Sequence, residues 1–222
     1  MNAPNGESPC IICGAKTYGL HDPQLDVWYD VCVSCGYTYK RPIYHLDATR
    51  EKMNYDKHEN TMDNEGYVAM FERFLEESVF PYIRSGRALD FGSGPGPVLY
   101  ELLGRHGFIN YHYDPYYHKN PDIYNRSFDL ITSTEVFEHL FEPKKVFNQL
   151  YYLLEDGAIL AVMTSLRPKS DEDFLTWWYR RDPTHIGFFT LKAFEALVRP
   201  YRMKMIYTNR TNHFVFRKEF AR

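Results

Sequence analysis

The sequence predicts an α/β protein with a doubly wound, mostly parallel sheet, preceded by a small N-terminal module. Three observations predict this architecture. From residue 86 onward, short apolar segments alternate with amphipathic helical segments, as in repeated β-α-β units. Residues 158–163 form an apolar run, as expected of a strand that is covered on both faces. All four cysteines lie within the first 35 residues, which sets that part of the chain apart.

The four cysteines form two copies of one motif. Cys10 and Cys13 are three positions apart, Cys32 and Cys35 repeat that spacing, and 18 residues separate the two pairs. A glycine follows each pair and tolerates the positive φ of a tight metal-binding turn. This spacing is typical of tetrahedral zinc sites, and the β-forming residues between the pairs indicate a zinc ribbon. Two disulfides or a redox pair are the alternatives, and a cytosolic chain disfavours disulfides. We expect a structural zinc ion held by four thiolates.

The chain divides into three predicted parts. These are a zinc-ribbon module at 1–45, a linker with an amphipathic helix at 46–85, and an α/β domain at 86–222. A length of 222 residues suits one ordinary domain and a small module. We expect Asp63 to cap the helix and Pro81 to end it. Its apolar residues, spaced at i, i+3, i+4, i+7 and i+8, are Tyr67, Met70, Phe71, Phe74 and Leu75.

Strands and helices alternate within the α/β domain. The predicted helices lie around 98–103 and 146–154, and from Thr190 to before Pro200. A polar, aromatic loop fills 165–189. The predicted strands are 87–91, 108–113, 128–132, 158–163, 201–208 and 212–218. The connection between the second and third of these strands is short, and a parallel crossover needs a dozen or more residues. A further strand in that connection is therefore short or missing.

The most informative segment is the glycine-rich turn that follows the first strand of this domain. Gly92, Gly94 and Gly96 let the backbone pass close to a ligand, and the next helix offers amide donors at its N-terminus. Pro97 stands where a dinucleotide-binding motif requires glycine, and the turn lacks the Gly-Lys-Ser/Thr of a P-loop. Asp90 would repel phosphate, but it suits a cationic ligand such as a sulfonium with an α-ammonium group. A tight turn without a ligand is the alternative.

A second acid ends the next predicted strand. Asp114 lies about 20 residues further on, where a carboxylate can accept hydrogen bonds from both ribose hydroxyls. Together, these features resemble the class I S-adenosylmethionine-dependent methyltransferases. Residues 88–96 (ALDFGSGPG) resemble the first motif of that superfamily, and 112–115 (HYDP) resemble its ribose-binding acid. Residues 128–140 (FDLITSTEVFEHL) resemble the motif that closes its fourth strand.

The resemblance implies a Rossmann-like methyltransferase fold with S-adenosylmethionine as the cofactor. The chain is similar to a bacterial group with an N-terminal CxxCG…CxxCG ribbon, NEGY at 64–67 and WWYRRDPTHIGFFT at 177–190. Asp122 and Ile123 are the candidates for the contact to adenine. The resemblance implies cofactor binding by Asp90, Phe91, Gly92, Gly94, Gly96, Asp114, Pro115, Thr134 and Glu135.

The 165–189 loop is predicted to cover the reacting methyl group, because ligands bind outside the carboxyl ends of the strands in an open α/β sheet. Arg180 or Arg181 would then hold an anionic substituent of the acceptor. His139, His185 and Asp182 are the candidate catalytic residues, as a base or an orienting group, since imidazole titrates near neutral pH. A structural role is the alternative for each histidine. A polar-aromatic cluster is expected to enter the pocket from the N-terminal side; it consists of Tyr55, Asp56, His58 and Asn60.

These features favour a methyltransferase that acts on a small, partly anionic acceptor such as a sugar or a nucleotide-linked metabolite. The alternatives are an RNA methyltransferase that uses the ribbon and the basic C-terminus, and a non-catalytic cofactor-binding scaffold. A net charge of −3 gives no general field for nucleic acid. No apolar segment of about 20 residues and no signal sequence is present, so we expect a cytoplasmic protein without membrane contact. The acceptor, the methylated atom and the oligomeric state stay open.

Overall fold

The structure is a computed structural model that describes residues 8–57 and 61–221. The first half of the chain forms β1 (Thr17–Asp22), β2 (Val27–Cys32), β3 (Thr38–Lys40), α1 (Ala48–Tyr55), α2 (Glu65–Ser78), β4 (Arg87–Phe91), α3 (Val98–Arg105) and β5 (Ile109–Tyr113). The second half forms β6 (Phe128–Thr134), α4 (Pro143–Leu153), β7 (Leu154–Met163), α5 (Asp171–Thr176), β8 (Gly187–Phe188), α6 (Leu191–Val198), β9 (Met203–Thr208) and β10 (His213–Lys218).

The larger of two sheets has the strand order β5-β4-β6-β7-β10-β9. Neighbours among β5, β4, β6 and β7 are parallel, whereas β10 runs antiparallel to both β7 and β9. The prediction of a mostly parallel sheet is therefore confirmed. The carboxyl ends of β4, β5, β6 and β7 meet at one edge of this sheet, so the turns that follow them converge there.

Alternating side chains of the parallel strands build two separate cores. Leu130 and Ile159 face the side covered by α2 and α3. Ile131 and Leu160, one residue further along each strand, face the side covered by α4 and α6. All four side chains are at most 1% exposed, and burying a leucine or isoleucine fully contributes about 1.5–3 kcal/mol. The sheet thus has helices on both faces, as predicted.

The connection after β5 contains a 3-10 turn at Pro121–Asn125 and no strand in the part of the chain that the structure describes. Ile123 is fully buried and anchors this turn against the core. The connection is too short to place a further parallel strand beyond β5. Strand β5 is therefore an edge strand of the sheet.

The smaller sheet has the strand order β1-β2-β3-β8, with every pair antiparallel. Its first three strands belong to the predicted ribbon. The fourth strand, β8, lies within the loop predicted at 165–189, and Thr38 pairs with Phe188. That loop also contains α5, so it is more ordered than its sequence indicates. The cysteine-rich segment and the 165–189 loop therefore contribute strands to one sheet.

The predicted N-cap of α2 is wrong, whereas Pro81 follows the end of the helix as predicted. The N-cap is Asn64 rather than Asp63, because the Asn64 side chain accepts a hydrogen bond from the Tyr67 amide. The helix ends at Ser78, three residues before Pro81, and the amide of Val79 still bonds to the Leu75 carbonyl. The predicted apolar face is confirmed, since Phe71, Phe74 and Leu75 are buried.

Candidate functional site

The four cysteine sulfurs cluster as the spacing predicts. The Sγ atoms of Cys10 and Cys35 are 3.7 Å apart, those of Cys13 and Cys32 are 3.4 Å apart, and all four lie within 4.8 Å of one another. All four cysteines are free in the structure, since disulfide sulfurs would be about 2.05 Å apart. Thiolates bound to one tetrahedral zinc ion at about 2.3 Å lie about 3.8 Å apart, so the cluster fits that ion.

The two cysteine turns have the same backbone hydrogen bonds. The amide of Gly14 donates to the Cys10 carbonyl at 2.8 Å, and the amide of Gly36 donates to the Cys32 carbonyl at 3.0 Å. Both glycines have a positive φ, at 77° and 71°, which a side chain would strain. This repeated turn explains why a glycine follows each cysteine pair.

The glycine-rich turn lies at the carboxyl end of β4 and is tied to the end of β5. The amides of Gly92 and Ser93 both donate to the Tyr113 carbonyl, at 2.8 and 3.2 Å. Gly92 has a φ of 84°, and a Cβ atom there would meet Val136 Cγ2 at 2.2 Å. A side chain at this position would therefore clash with the turn that follows β6.

Asp114 fixes the same turn from the end of β5. Its Oδ2 accepts a hydrogen bond from the Gly94 amide at 3.0 Å. Its Oδ1 accepts from the amides of Tyr116 and Tyr117, at 2.7 and 3.1 Å. The carboxylate is 7% exposed and lines the large cavity beside the turn. It is thus placed both to order the turn and to face a ligand.

Asp90 is the penultimate residue of β4 and is 2% exposed. Burial raises the pKa of its carboxyl to about 7; the Thr132 hydroxyl opposes this shift, and the nearby Asp114 adds to it. Thr132 donates to Asp90 Oδ1 at 3.3 Å. The Tyr100 backbone also lowers this pKa by hydrogen bonding, and no lysine or arginine pairs with Asp90 among the described residues.

A cavity of about 470 Å³ brings most of the predicted site residues together. It runs from the glycine-rich turn to the segment at 178–185. The predicted residues that line it are Asp90, Gly92, Gly94, Gly96, Asp114, Pro115, Thr134, Glu135, His139, Asp182 and His185. Three others do not: Phe91 is buried and stacks on Tyr113 at 5.4 Å, and Asp122 and Ile123 lie outside the lining. The structure offers those three no place in this cavity.

Sequence reasoning missed about half of the lining. The residues not predicted are Glu51, Tyr67, Phe71, Ser93, Pro95, Val98, Leu99, Tyr116, Tyr117, Val136 and Leu140. The sequence does contain a pattern from which helix α1 could have been predicted. Asp47 is a good N-cap, accepting from the Arg50 amide, and Glu51 and Tyr55 are spaced i, i+4 on one helix face.

Helix α1 closes one side of the cavity through tyrosine hydroxyls. Tyr55 and Tyr116 both donate to Glu51, each at 2.6 Å. Tyr117 donates to Asp56, also at 2.6 Å. Of the predicted polar-aromatic cluster, Tyr55 therefore lines the cavity and Asp56 supports its rim. The other two members, His58 and Asn60, lie outside the described residues.

His139 and His185 face each other at the other end of the cavity. Their ring centroids are 4.8 Å apart. Because a carbonyl oxygen only accepts, His139 Nδ1 donates to the Thr184 carbonyl at 3.0 Å and His185 Nδ1 donates to the Tyr179 carbonyl at 2.7 Å. In its neutral form, each histidine therefore carries its proton on Nδ1 and has a lone pair on Nε2. Burial lowers the pKa of His185, although Glu138 opposes the shift.

Two glutamates lie behind the histidines. The Tyr179 hydroxyl bridges them, 2.5 Å from Glu138 Oε1 and 3.0 Å from Glu135 Oε2. Burial and the neighbouring Glu138 raise the pKa of Glu135 well above its usual value. Burial also acts to raise the pKa of Glu138, but the charges that His139 and His185 carry when protonated, together with the Tyr179 hydroxyl bond, outweigh burial and hold that pKa below its usual value.

Arg180 is not available to a substrate. It is 1% exposed, its Nε lies 2.9 Å from Asp22 Oδ2, and it donates to Gln24 Oε1 at 2.8 Å. Arg181 is exposed and does not line the cavity. The prediction that Arg180 or Arg181 holds an anionic substituent is therefore wrong for Arg180 and finds no contact for Arg181. The cavity lining includes no lysine or arginine among the described residues.

Comparison with known proteins agrees with this geometry. A family model described as a methyltransferase domain matches residues 63–201. The chain belongs to this methyltransferase family. The match begins at α2 and continues through α6, so it includes the glycine-rich turn and the histidine pair. The protein is thus an S-adenosylmethionine-dependent methyltransferase, as its sequence predicts.

Solved structures share the fold of this methyltransferase at low sequence identity. One is a putative S-adenosyl-L-methionine-dependent methyltransferase from Methanococcus maripaludis, with TM-score 0.50 and 16% identity over 70% of this chain and 86% of that one. Another is the mitomycin 7-O-methyltransferase MmcR, with TM-score 0.53 and 13% identity over 79% and 59% of the two chains. A third is the N-methyltransferase NodS from Bradyrhizobium japonicum WM9 with S-adenosyl-L-homocysteine, with TM-score 0.52 and 15% identity over 77% and 97%.

A search of curated proteins found no match to the methyltransferase. Within the described ranges, no helix combines the length and apolar character that crossing a bilayer requires.

Proposed function

We propose that this enzyme transfers the methyl group of S-adenosylmethionine to a small acceptor held between the glycine-rich turn and the histidine pair. One observation carries the proposal: a single cavity is lined at one end by the turn with Asp90 and Asp114, and at the other by His139 and His185. The cofactor and the acceptor would thus meet inside one cavity.

The residues at the turn suit the parts of the cofactor. Asp90 would take the α-ammonium group, because its buried carboxylate lacks a cationic partner among the described residues. Asp114 would accept the ribose hydroxyls, since it lies at the end of β5 and faces the cavity. Gly92 and Gly94 would let the backbone approach the methionine moiety. Thr134 and Glu135, at the end of β6, would line the space near the sulfonium.

The charge of the lining favours a neutral or cationic acceptor. Its ionised acids include Glu51, Asp114 and Asp182, Asp90 and Glu135 have raised pKa values, and its described members include no lysine or arginine. An anionic acceptor would meet these carboxylates without a counter-charge. The volume of about 470 Å³ must also hold the cofactor. The acceptor would therefore be compact, such as a sugar, a polyol or an amine.

The reaction needs positioning more than covalent catalysis. An oxygen or nitrogen of the acceptor attacks the methyl carbon in line with the carbon–sulfur bond, and the bonding electrons leave with the sulfur. Holding the reactants in that line contributes about 7–11 kcal/mol. The proton of the acceptor would pass to His139, His185 or Asp182, and a general base adds about 10²–10⁴-fold. The rings Tyr179 and Trp178 line the same end and would exclude water.

The four cysteines would hold a structural zinc ion, because their geometry fits a closed tetrathiolate site with no open position. The ion would stabilise the ribbon without contacting the reactants.

Two lysines of the basic C-terminus are engaged within the protein, which weakens the case for RNA as the acceptor. The Lys218 ammonium donates to the Tyr151 and Leu154 carbonyls, at 3.2 and 2.6 Å, and Lys204 pairs with Glu219. These side chains are thus engaged within the protein.

Calorimetric titration with S-adenosylmethionine and S-adenosylhomocysteine tests the cofactor part of the proposal. We expect micromolar binding of both by folded protein. Absence of binding to either compound would contradict the proposal. Binding without methyl transfer to any member of a panel of polyols, sugars and amines would favour the scaffold alternative.

A further inference from the structure

Three potential metal ligands converge at the acceptor end of the cavity. Glu138, His139 and His185 each present one ligating atom, and these atoms lie within 4.8 Å of one another. The 3-10 turn after β6 supplies Glu138 and His139, and the segment before β8 supplies His185. His139 and His185 also line the cavity. The cluster is separate from the four cysteines of the ribbon.

Both histidines are oriented for metal binding. A ligating histidine usually donates its other ring N–H to a carbonyl or carboxylate, which fixes the ring. Here both Nδ1 atoms donate to backbone carbonyls, those of Thr184 and Tyr179. His139 Nε2 is 3.9 Å from Glu138 Oε1, and His185 Nε2 is 4.0 Å from Asp182 Oδ2. Both distances exceed a hydrogen bond, so neither lone pair is used by a donor in the described residues.

These separations are close to those of ligands around one ion. Nitrogen and oxygen ligands bound at about 2.1 Å lie roughly 3–4 Å apart across a tetrahedral or octahedral site. Small side-chain rotations would bring the three atoms onto one ion. The 15% exposed ring of His139 and the adjoining cavity leave a coordination position open on the acceptor side.

The buried carboxylate of Glu138 also favours a nearby cation, and His139 Nε2 is the nitrogen recorded beside it, at 3.9 Å. Glu138 is fully buried and Glu135 lies against it, joined through the Tyr179 hydroxyl. Glu138 receives a second hydroxyl bond from Thr164 at 2.8 Å. In the described part of the chain, no lysine or arginine pairs with either carboxylate. Buried charges in proteins are ordinarily paired or bound to metal.

We propose that Glu138, His139 and His185 bind one divalent first-row transition-metal ion, which receives an oxygen of the methyl acceptor at its open position. Two imidazoles and one carboxylate favour Mn²⁺, Fe²⁺, Co²⁺ or Zn²⁺ over Mg²⁺ and Ca²⁺, which prefer oxygen ligands. This inference rests on the proposed function, and it narrows the acceptor class to hydroxyl compounds, with polyols favoured because a second oxygen can chelate.

The ion would change which residue takes the proton. A metal-bound hydroxyl ionises more readily, because the ion stabilises the alkoxide. The imidazole lone pairs are occupied in that state, so the proton passes to Asp182, whose Oδ2 is 4.0 Å from His185 Nε2. The alkoxide oxygen then attacks the methyl carbon, and the carbon–sulfur bond breaks with its electrons left on sulfur.

Titration of the zinc-loaded, full-length protein with Mn²⁺ tests the site, with free Mn²⁺ measured by electron paramagnetic resonance. Mn²⁺ suits the purpose because thiolates bind it weakly, so the ribbon does not compete. We expect one equivalent bound per chain. The variants E138Q and H185Q should weaken Mn²⁺ binding by at least tenfold. E72Q and H106Q are matched controls. Glu72 and His106 are exposed, their side chains are 3.3 Å from each other, and neither residue lines the cavity.

H139Q keeps the test valid if E138Q does not fold, since His139 is the less buried partner. The metal site would be overturned if the protein bound S-adenosylhomocysteine in a calorimeter but took up neither Mn²⁺ nor a second equivalent of Co²⁺ or Zn²⁺. The proposed function would then still stand. Equal Mn²⁺ binding by E138Q, H185Q and the unaltered protein would overturn it as well. Failure to bind S-adenosylhomocysteine would instead count against the proposed function.

Discussion

Arg180 and Asp22 form an ion pair whose side chains are both fully buried, with 2.9 Å between Arg180 Nε and Asp22 Oδ2. Arg180 belongs to the segment that covers the cavity, and Asp22 ends the first strand of the ribbon sheet. The pair is therefore a charged link between the cysteine-rich part of the chain and the segment at 178–185 that lines the cavity.

Removing one member of this pair should destabilise the folded protein. We expect Arg180→Ala to lower the free energy of unfolding by about 3–5 kcal/mol, because Asp22 would be left as an unpaired buried charge. Urea unfolding measures the change. Arg87→Ala is the control: Arg87 pairs with Glu155 at 3.3 Å with both side chains partly exposed, and such pairs contribute at most about 1 kcal/mol. Equal effects of the two substitutions would contradict the importance of the buried pair.

Asp114→Ala should weaken cofactor binding about 100-fold or more while the protein stays folded. The substitution removes the expected ribose contact, and it also frees the amides of Gly94, Tyr116 and Tyr117 that the carboxylate now orders. Calorimetric binding of S-adenosylhomocysteine gives the affinity, and circular dichroism checks the fold. Asp122→Ala is the matched control, because Asp122 is exposed in the same connection and lies outside the cavity lining.

Cofactor affinity should rise with pH through about 7. Burial raises the pKa of Asp90 to about 7, so its carboxyl is protonated below that pH in the empty protein. The ionised form is the one that attracts an ammonium group. Between pH 6 and 8 the ionised fraction increases roughly tenfold, and the affinity for S-adenosylhomocysteine should follow it. Asp90→Asn should bind weakly at every pH, and a pH dependence retained in that variant would contradict the assignment.

The same shift predicts how the stability of the empty protein depends on pH. Folded Asp90 retains a proton that the unfolded chain has already released between about pH 4 and 7. The contribution of Asp90 to folding therefore becomes less favourable as pH rises through that window. Thermal unfolding of the unaltered protein and of Asp90→Asn across the window measures the difference, which should shrink toward zero near pH 4.

Gly92→Ala should abolish cofactor binding. The new Cβ would lie 2.2 Å from Val136 Cγ2, at a φ of 84° that side chains rarely adopt. Relief of that clash requires the turn after β6 to move away. Gly66→Ala is the control, because Gly66 lies in the first turn of α2 with only an ordinary 3.5 Å contact to Asn64. That control should bind the cofactor normally and unfold at a slightly higher temperature.

Cys32→Ser should release zinc and destabilise the ribbon sheet, because the site would lose one of four thiolates. Elemental analysis and thermal unfolding measure both effects. Val33→Ser changes the exposed neighbour of Cys32 and should leave the metal content unchanged. Full retention of zinc by Cys32→Ser would contradict the tetrathiolate site.

Local sequence patterns were sufficient for much of the α/β domain. The strand Arg87–Phe91 was predicted to the residue, and the helix expected from Thr190 begins at Leu191 with the Thr190 side chain as its cap. These elements have strong apolar periodicity and clear caps, so little depends on distant partners.

Features that depend on distant partners were not predictable. Strand β8 has only two residues, so it has no periodicity, and it exists because β3 offers a free edge. Arg180 was read as a substrate ligand because the residue that neutralises it, Asp22, is 158 positions away. Glu51 was missed because α1 lay inside a segment interpreted as a linker.

The pairing of β3 with β8 has a consequence for the order in which the protein matures. Thr38 and Phe188 are paired although they are 150 positions apart in the sequence (188 − 38). During synthesis, the cysteine turns leave the ribosome first, but their sheet waits for its last strand until most of the chain has been made. Contacts of such long range form late in folding. An enzyme truncated before residue 187 would therefore keep its cysteines and its glycine-rich turn, yet expose an unpaired strand edge that invites aggregation.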